Sequence, residues 1–109
     1  MLMTDERYHL LTLTGDCSVK SAQAVAAQLR EALPGRKRIA VATRDVTGAD
    51  LTTVQLLLAA RASAEANGCT LAMAAPLAAP LRDFLQASGL SGPGGTDFWT
   101  STIPAEETA

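Results

Sequence analysis

VATRDVTGADLTTVQLLL, Val41 to Leu58, decides the fold of this chain. An apolar, strand-like segment runs through a polar turn into a leucine-rich helix. The turn sets Asp50 where a helix begins and puts two hydroxyls, Thr52 and Thr53, in its first turn. A helix start carries unpaired N–H groups and the positive end of the helix dipole. Strand-to-helix corners of this kind are where small α/β domains place their working surfaces. The search for function therefore begins at residues 48 to 55.

The same alternation continues on both sides of the corner. Tyr8 to Thr14, YHLLTLT, reads as a strand in which Leu11 and Leu13 alternate with Thr12 and Thr14, and Gly15-Asp16 closes it. Met1 to Met3 is a candidate for a short strand ahead of it. Ser18 to Leu33 reads as a helix whose apolar stripe is Ala22, Val25, Ala26, Leu29, Ala32 and Leu33, with Ser18 as N-cap and Pro34-Gly35 as the stop. Arg38 to Thr43 is a buried central strand, since Ile39 to Ala42 are apolar in succession. Leu51 to Asn67 is the second helix, with Val54, Leu57, Leu58 and Arg61 on one face and Leu56 and Ala60 widening it. Thr70 to Ala74 is a third strand and Leu77 to Ala87 a third helix, with Pro76 and Pro80 near its start. Strand and helix alternating three times predict an α/β fold, a largely parallel sheet with right-handed crossovers.

Length and composition narrow the function. A chain of 109 residues forms one domain, and 48% hydrophobic content with 4% aromatics implies an aliphatic core. The body spans 1–90, and 91–109, beginning SGPGG and ending AEETA, reads as a loop and loose tail that Phe98 and Trp99 pin back. A net charge of −2 argues against nucleic acid as a partner, and Arg36, Lys37 and Arg38 read as a solvated junction. No apolar run is long enough to span a bilayer, and Asp5, Glu6 and Arg7 break any signal peptide, so the expected location is the cytoplasm with Cys17 and Cys69 reduced. Cys69 reads as a small buried side chain, whereas Cys17, at the polar turn, is expected nearer the surface.

Motifs for catalysis are scarce. The sequence has no Walker loop, no Gly-x-Ser-x-Gly elbow and no dinucleotide fingerprint, and GPGG at 92–95 follows a helix and reads as a linker. His9 and two distant cysteines are too few for zinc, and His9 reads as structural. Asp50 reads first as a cap worth about 1 kcal/mol, and the hydroxyls of Thr52 and Thr53 read first as local hydrogen-bond formers. No metal, cofactor or enzymatic reaction is expected.

LTLTGDCSVKSAQAVAAQL, VTGADLTTVQLLL and FLQASGL, in that order, resemble the STAS domain, the module of anti-sigma-factor antagonists and of sulphate-transporter tails. The resemblance runs from about Tyr8 to Leu90. It implies a single STAS-like domain, a mostly parallel mixed sheet with helices packed on one face. It also implies a non-catalytic regulatory module that docks a cytoplasmic protein, an anti-sigma factor kinase or a sensor histidine kinase, through the start of the second helix. The partner-binding residues are then Gly48, Asp50, Leu51, Thr52, Thr53 and Gln55. In the antagonist branch a Ser or Thr at that helix start is phosphorylated; here Leu51 stands at the usual acceptor position, leaving Thr52 or Thr53 as candidate phosphoacceptors. Ala42 stands where an acidic residue is frequent. The DLTTVQLLLAAR segment is most similar to chemotaxis-associated members. The alternatives are a phosphorylation-switched anti-anti-sigma factor and a STAS subunit of a phospholipid-transport ABC complex; a homodimer and a nucleotide ligand stay open.

Overall fold

A computed structural model describes residues 8–90 and 97–104. The readings of Met1 to Met3 as a strand, of SGPGG as a linker and of AEETA as a tail lie outside the described residues. The elements are β1 (His9–Asp16), α1 (Ala22–Ala32), β2 (Arg38–Gly48), α2 (Leu51–Ala66), β3 (Thr70–Met73) and α3 (Ala79–Ala87). Short 3-10 turns at Val19–Ser21 and Asp97–Trp99 complete the list. The three strands form one parallel sheet in the order β1-β2-β3. The fold is α/β, as the alternation of the sequence predicts.

β2 is the centre because its residues 39–43 are buried on both faces. Ile39 and Val41 point into the main core with Leu13, Val25, Leu29, Leu57, Met73, Leu81 and Leu85. Ala40 and Ala42 point the other way, into a small cluster with Ala74, Tyr8 and Ile103. The helices thus contribute to one face, and small residues floor the other. The chain returns after α3 to pair Ile103 with Ala74 in a parallel bridge. That return buries Phe98 and Trp99, whose ring centroids lie 4.7 Å apart, and sets the Arg61 guanidinium 5.0 Å from the Phe98 ring.

β2 runs five residues past the expected end at Thr43, to Gly48. Arg44, Asp45 and Thr47 look like a turn in sequence because polar residues cluster there. Asp45 is instead paired with β1, and Arg44 and Thr47 fall within two register shifts: Thr12 faces Ala42 but Thr14 faces Asp45, and Gly15 faces Val46 but Asp16 faces Gly48. Each shift inserts a residue into β2 and bends it toward the helix that follows.

α2 ends one residue sooner than expected, and its inner face differs from the expected one. Val54, Leu57, Ala60 and Ala64 are buried, while Leu58 remains 36% exposed. Consecutive leucines at 56, 57 and 58 sweep about 200° around a helix, so they cannot all face the sheet. Ala60 and Ala64 take the inner positions and let α2 approach closely. Asn67-Gly68 stops the helix, with Gly68 at φ 76°. α3 starts at Ala79, two residues later than expected, with Pro80 in its first turn. The Ala78 N–H before it donates to the buried Thr43 Oγ1 at 3.1 Å, which fixes that start against β2.

Candidate functional site

β1 and β2 are parallel neighbours, so both end at the same edge of the sheet. The turn after β1 and the turn before α2 therefore meet. Gly48 leaves room there for the Asp16 carboxylate: a Cβ would lie 2.6 Å from Asp16 Oδ1. The Cys17 N–H donates to the Gly48 carbonyl at 2.9 Å and ties the two turns together.

Asp50 caps α2 as its position in the sequence implies. Its Oδ1 accepts from the Thr53 N–H at 3.3 Å, and the Asp50 N–H donates to Thr53 Oγ1 at 3.0 Å, closing a capping box. The second carboxylate oxygen reaches outside the helix, where Oδ2 accepts from the Val19 N–H at 3.1 Å. Thr53 likewise reaches across. Its hydroxyl donates to the Cys17 carbonyl at 2.6 Å, and the residue is 2% exposed. Asp50 and Thr53 together hold the β1 turn against α2.

The turn itself is ordered by a second carboxylate. Asp16 Oδ1 accepts from the Ser18 N–H at 3.0 Å, and Oδ2 accepts from the Ser18 hydroxyl at 2.9 Å. The Ser18 hydroxyl, then its N–H, hold the Asp16 carboxyl below the usual carboxylate range, with Lys20 adding a smaller pull in the same direction. Ser18 is consequently not the N-cap of α1. Its hydroxyl is spent on Asp16, a 3-10 turn follows it, and α1 begins only at Ala22. Cys17 is 1% exposed, contrary to its expected place near the surface. Burial, and after it the Asp16 charge, push its thiol up, so it is an inert core residue. Cys69 is buried as expected, and burial raises its thiol too.

Two apolar side chains of this corner are exposed among polar ones: Leu51 is 52% exposed and Val19 is 63% exposed, and the carboxylate of Asp50, the residue before Leu51, accepts from the Val19 N–H. Gln55 is exposed one helical turn beyond Leu51, and Thr52 and Gly48 are half-buried. The structure thus brings Gly48, Asp50, Leu51, Thr52 and Thr53 to one corner, with Gln55 following on α2. It divides the two hydroxyls: Thr52 lies at the rim, whereas Thr53 faces inward. Asp16 and Val19 belong to the same corner and were missed in the sequence. Their signals were faint: a Gly-Asp strand end, and one valine among the polar residues of SVKS.

His9 opens β1, seven residues from Asp16, which is about 23 Å along an extended strand. The imidazole and the corner hydroxyls are therefore not brought together. Among the described residues no group of three or more His, Cys, Asp or Glu could hold a metal ion, and no helix is long and apolar enough to cross a membrane.

Comparison with known proteins agrees with this geometry. A family model described as "Mlab, STAS domain" matches residues 3–98. No curated protein matches the chain. The match begins ahead of β1 and runs through all three strands and helices to Phe98, so it takes in both turns of the corner. This chain belongs to the STAS domain family.

Proposed function

We propose that the protein is a non-catalytic regulatory module of the cytoplasm that docks a protein partner through the start of α2. One observation carries this reading: Leu51, at the usual phosphoacceptor position of the resemblance, is an exposed leucine on a rigidly capped helix start. An exposed apolar side chain on a preorganised backbone supplies contact area at small entropic cost. The partner class is a kinase, either an anti-sigma factor kinase or the sensor histidine kinase of a chemotaxis cluster. Binding is constitutive in this reading, because leucine accepts no phosphate.

The test is copurification with the native partner, followed by affinity measurements on the purified pair. Leu51→Asp should weaken the complex by at least about tenfold, equivalent to 1.4 kcal/mol, because a carboxylate would have to be desolvated in the interface. A partner that binds Leu51→Asp as tightly as the parent overturns the reading. If the recovered partner is a transporter ATPase, the module is a subunit of a phospholipid-transport ABC complex and the kinase assignment falls.

A phosphorylation-switched anti-anti-sigma factor is the second reading, and it is favoured by Thr52, a half-buried hydroxyl at the rim of the same corner. Phosphate there would add nearly two negative charges within a docked surface. Incubation with the partner kinase and ATP, then mass spectrometry, separates the two. Stoichiometric phospho-Thr52 replaces constitutive binding with a switch. Thr53 is the poorer acceptor because its hydroxyl is already donated to the Cys17 carbonyl inside the fold.

A further inference from the structure

We propose that the outer edge of β1 is an interface between two copies of this chain, which join their sheets by pairing β1 with β1 antiparallel about a two-fold axis at Thr12. Residues 9–14 lie outside the α2 corner, so this interface does not depend on partner docking there.

The hydrogen bonds of the sheet show which way β1 faces. The Thr70 and Ala74 N–H groups donate to the Lys37 and Val41 carbonyls. Ile39 and Val41 therefore turn their backbone groups toward β3, and Ala40 and Ala42 turn theirs toward β1. Leu10 lies beside Ala40 and Thr12 beside Ala42, so His9, Leu11 and Leu13 are the residues whose backbone bonds to β2. The Cys17 N–H on the Gly48 carbonyl continues the same alternation. Leu10, Thr12 and Thr14 are left aiming their N–H and C=O groups away from the sheet, and all three are exposed. The Thr14 carbonyl takes the Cys17 thiol at 4.0 Å and keeps a second lone pair. Among the described residues, no strand pairs with this edge.

An open edge of this kind is a template for another strand unless something blunts it. β1 has no proline and no lysine, both register shifts place their extra residue in β2, and its one carboxylate, Asp16, stands at its end. A second copy fits in both pairing and charge. Centred on Thr12, the antiparallel pair sets Leu10 opposite Thr14 and Thr12 opposite Thr12 of the second copy. Outward groups then meet outward groups, and each pair exchanges two hydrogen bonds. The two-fold axis is perpendicular to the sheet, which keeps the helices of both copies on one side. On that side Leu11, half-buried at the margin of the main core, comes opposite Leu13 of the second copy. On the other side threonine meets threonine, a favourable cross-strand pair. No residue from His9 to Gly15 carries a formal charge, so the copies meet without like charges opposed. Centring on Leu13 would set the exposed Leu10 against the Asp16 carboxylate, and centring on Leu11 would leave Thr14 with no partner inside the strand. Because the paired strands run in opposite directions, the joined sheet carries one α2 corner at each end.

One strand edge is a small interface, in the class below about 1,200 Å² that associates weakly, so the full chain is followed by sedimentation equilibrium from about 10 µM to about 1 mM. The parent should pass from monomer to dimer over that range. Thr12→Lys sets two ammonium groups opposite each other at the axis and should weaken dimerisation at least about tenfold. Ser63→Lys makes the same charge change at an exposed position of α2 and should dimerise like the parent. Thr12 is exposed, so its variant folds, and far-UV circular dichroism checks this. Amide exchange of the parent by NMR then identifies the edge. The Leu11 and Leu13 amides should be protected at every concentration, and those of Leu10, Thr12 and Thr14 only as the dimer forms. A parent that stays monomeric at about 1 mM, or a dimer that Thr12→Lys weakens no more than Ser63→Lys does, overturns the proposal. Protection of Leu10, Thr12 and Thr14 that is the same at every concentration overturns it too, since another segment of the same chain would then occupy the edge.

Discussion

Replacing Thr53 with valine is the sharpest test of how the corner is built. The two side chains have nearly the same shape, so the change removes a hydroxyl and adds a methyl. Two groups lose their partner: the Cys17 carbonyl, bonded at 2.6 Å in a buried setting, and the part-buried Asp50 N–H, bonded at 3.0 Å. A buried polar group left unpaired costs about 1–3 kcal/mol. Water reaches the Asp50 N–H more readily, so the carbonyl dominates and the pair costs about 3 kcal/mol. The added methyl returns about 0.8 kcal/mol. The net expectation is a loss of about 2 kcal/mol. For a domain of this size that lowers the melting temperature by about 10 °C. Thr53→Ser keeps the hydroxyl and deletes a methyl, costing about 1 kcal/mol. Urea unfolding followed by far-UV circular dichroism measures both, and the slope should not change. The order of the variants is the decisive result. If Thr53→Val lies within about 0.5 kcal/mol of the parent, or is more stable than Thr53→Ser, the hydroxyl does not hold the turn and the reasoning fails.

Three further outcomes follow from the same contacts. Asp50→Ala should cost about 1.5 kcal/mol in urea unfolding, more than a simple cap, since the Val19 N–H also loses its acceptor; a cost below about 0.5 kcal/mol would show that water replaces both bonds freely. Asp16 should titrate below the ordinary aspartate range by NMR, and Ser18→Ala, which removes the hydroxyl bond but keeps the N–H bond, should move it up toward that range. Because the folded-state pKa is lowered, whatever stability the Asp16–Ser18 pair adds is present above the unfolded pKa, about pH 4, and is lost only as the pH falls through the folded value; an Asp16 titration unmoved by Ser18→Ala would refute the assignment of cause. Trp99→Ala should cost about 3–5 kcal/mol, measured by urea unfolding with circular dichroism, because Trp99 is 3% exposed against the body of the fold; a change under about 1 kcal/mol would mean the return of the chain is not part of the core.

Local chemistry determined much of this protein without reference to the rest of the chain. Asp50 before an apolar periodicity starts α2, Asn67-Gly68 stops it, and the succession Ile39 to Ala42 makes β2 central. These depend on caps, left-handed stops and hydrophobic spacing, which act between residues a few positions apart. The alternation of strands and helices then fixed a parallel sheet, because crossover connections permit little else. The capping corner was legible for the same reason, as five of its residues, 48 and 50–53, are neighbours in sequence.

Tertiary contacts decided the remainder. The polar run Arg44-Asp45 continues β2 because β1 offers hydrogen-bond partners, and no local signal announces a pairing between strands 30 residues apart. Leu58 is left at the surface and Ala60 and Ala64 are buried because the sheet selects which side of an apolar helix it accepts. Cys17 is buried, and the Ser18 hydroxyl is drawn away from capping α1, because the turn that holds them is pressed against α2. Thr53 shows the division most plainly. Its place in the first turn of a helix could be read from the sequence. The target of its hydroxyl, a carbonyl 36 residues earlier, exists only once two parallel strands have delivered their ends to the same edge of the sheet.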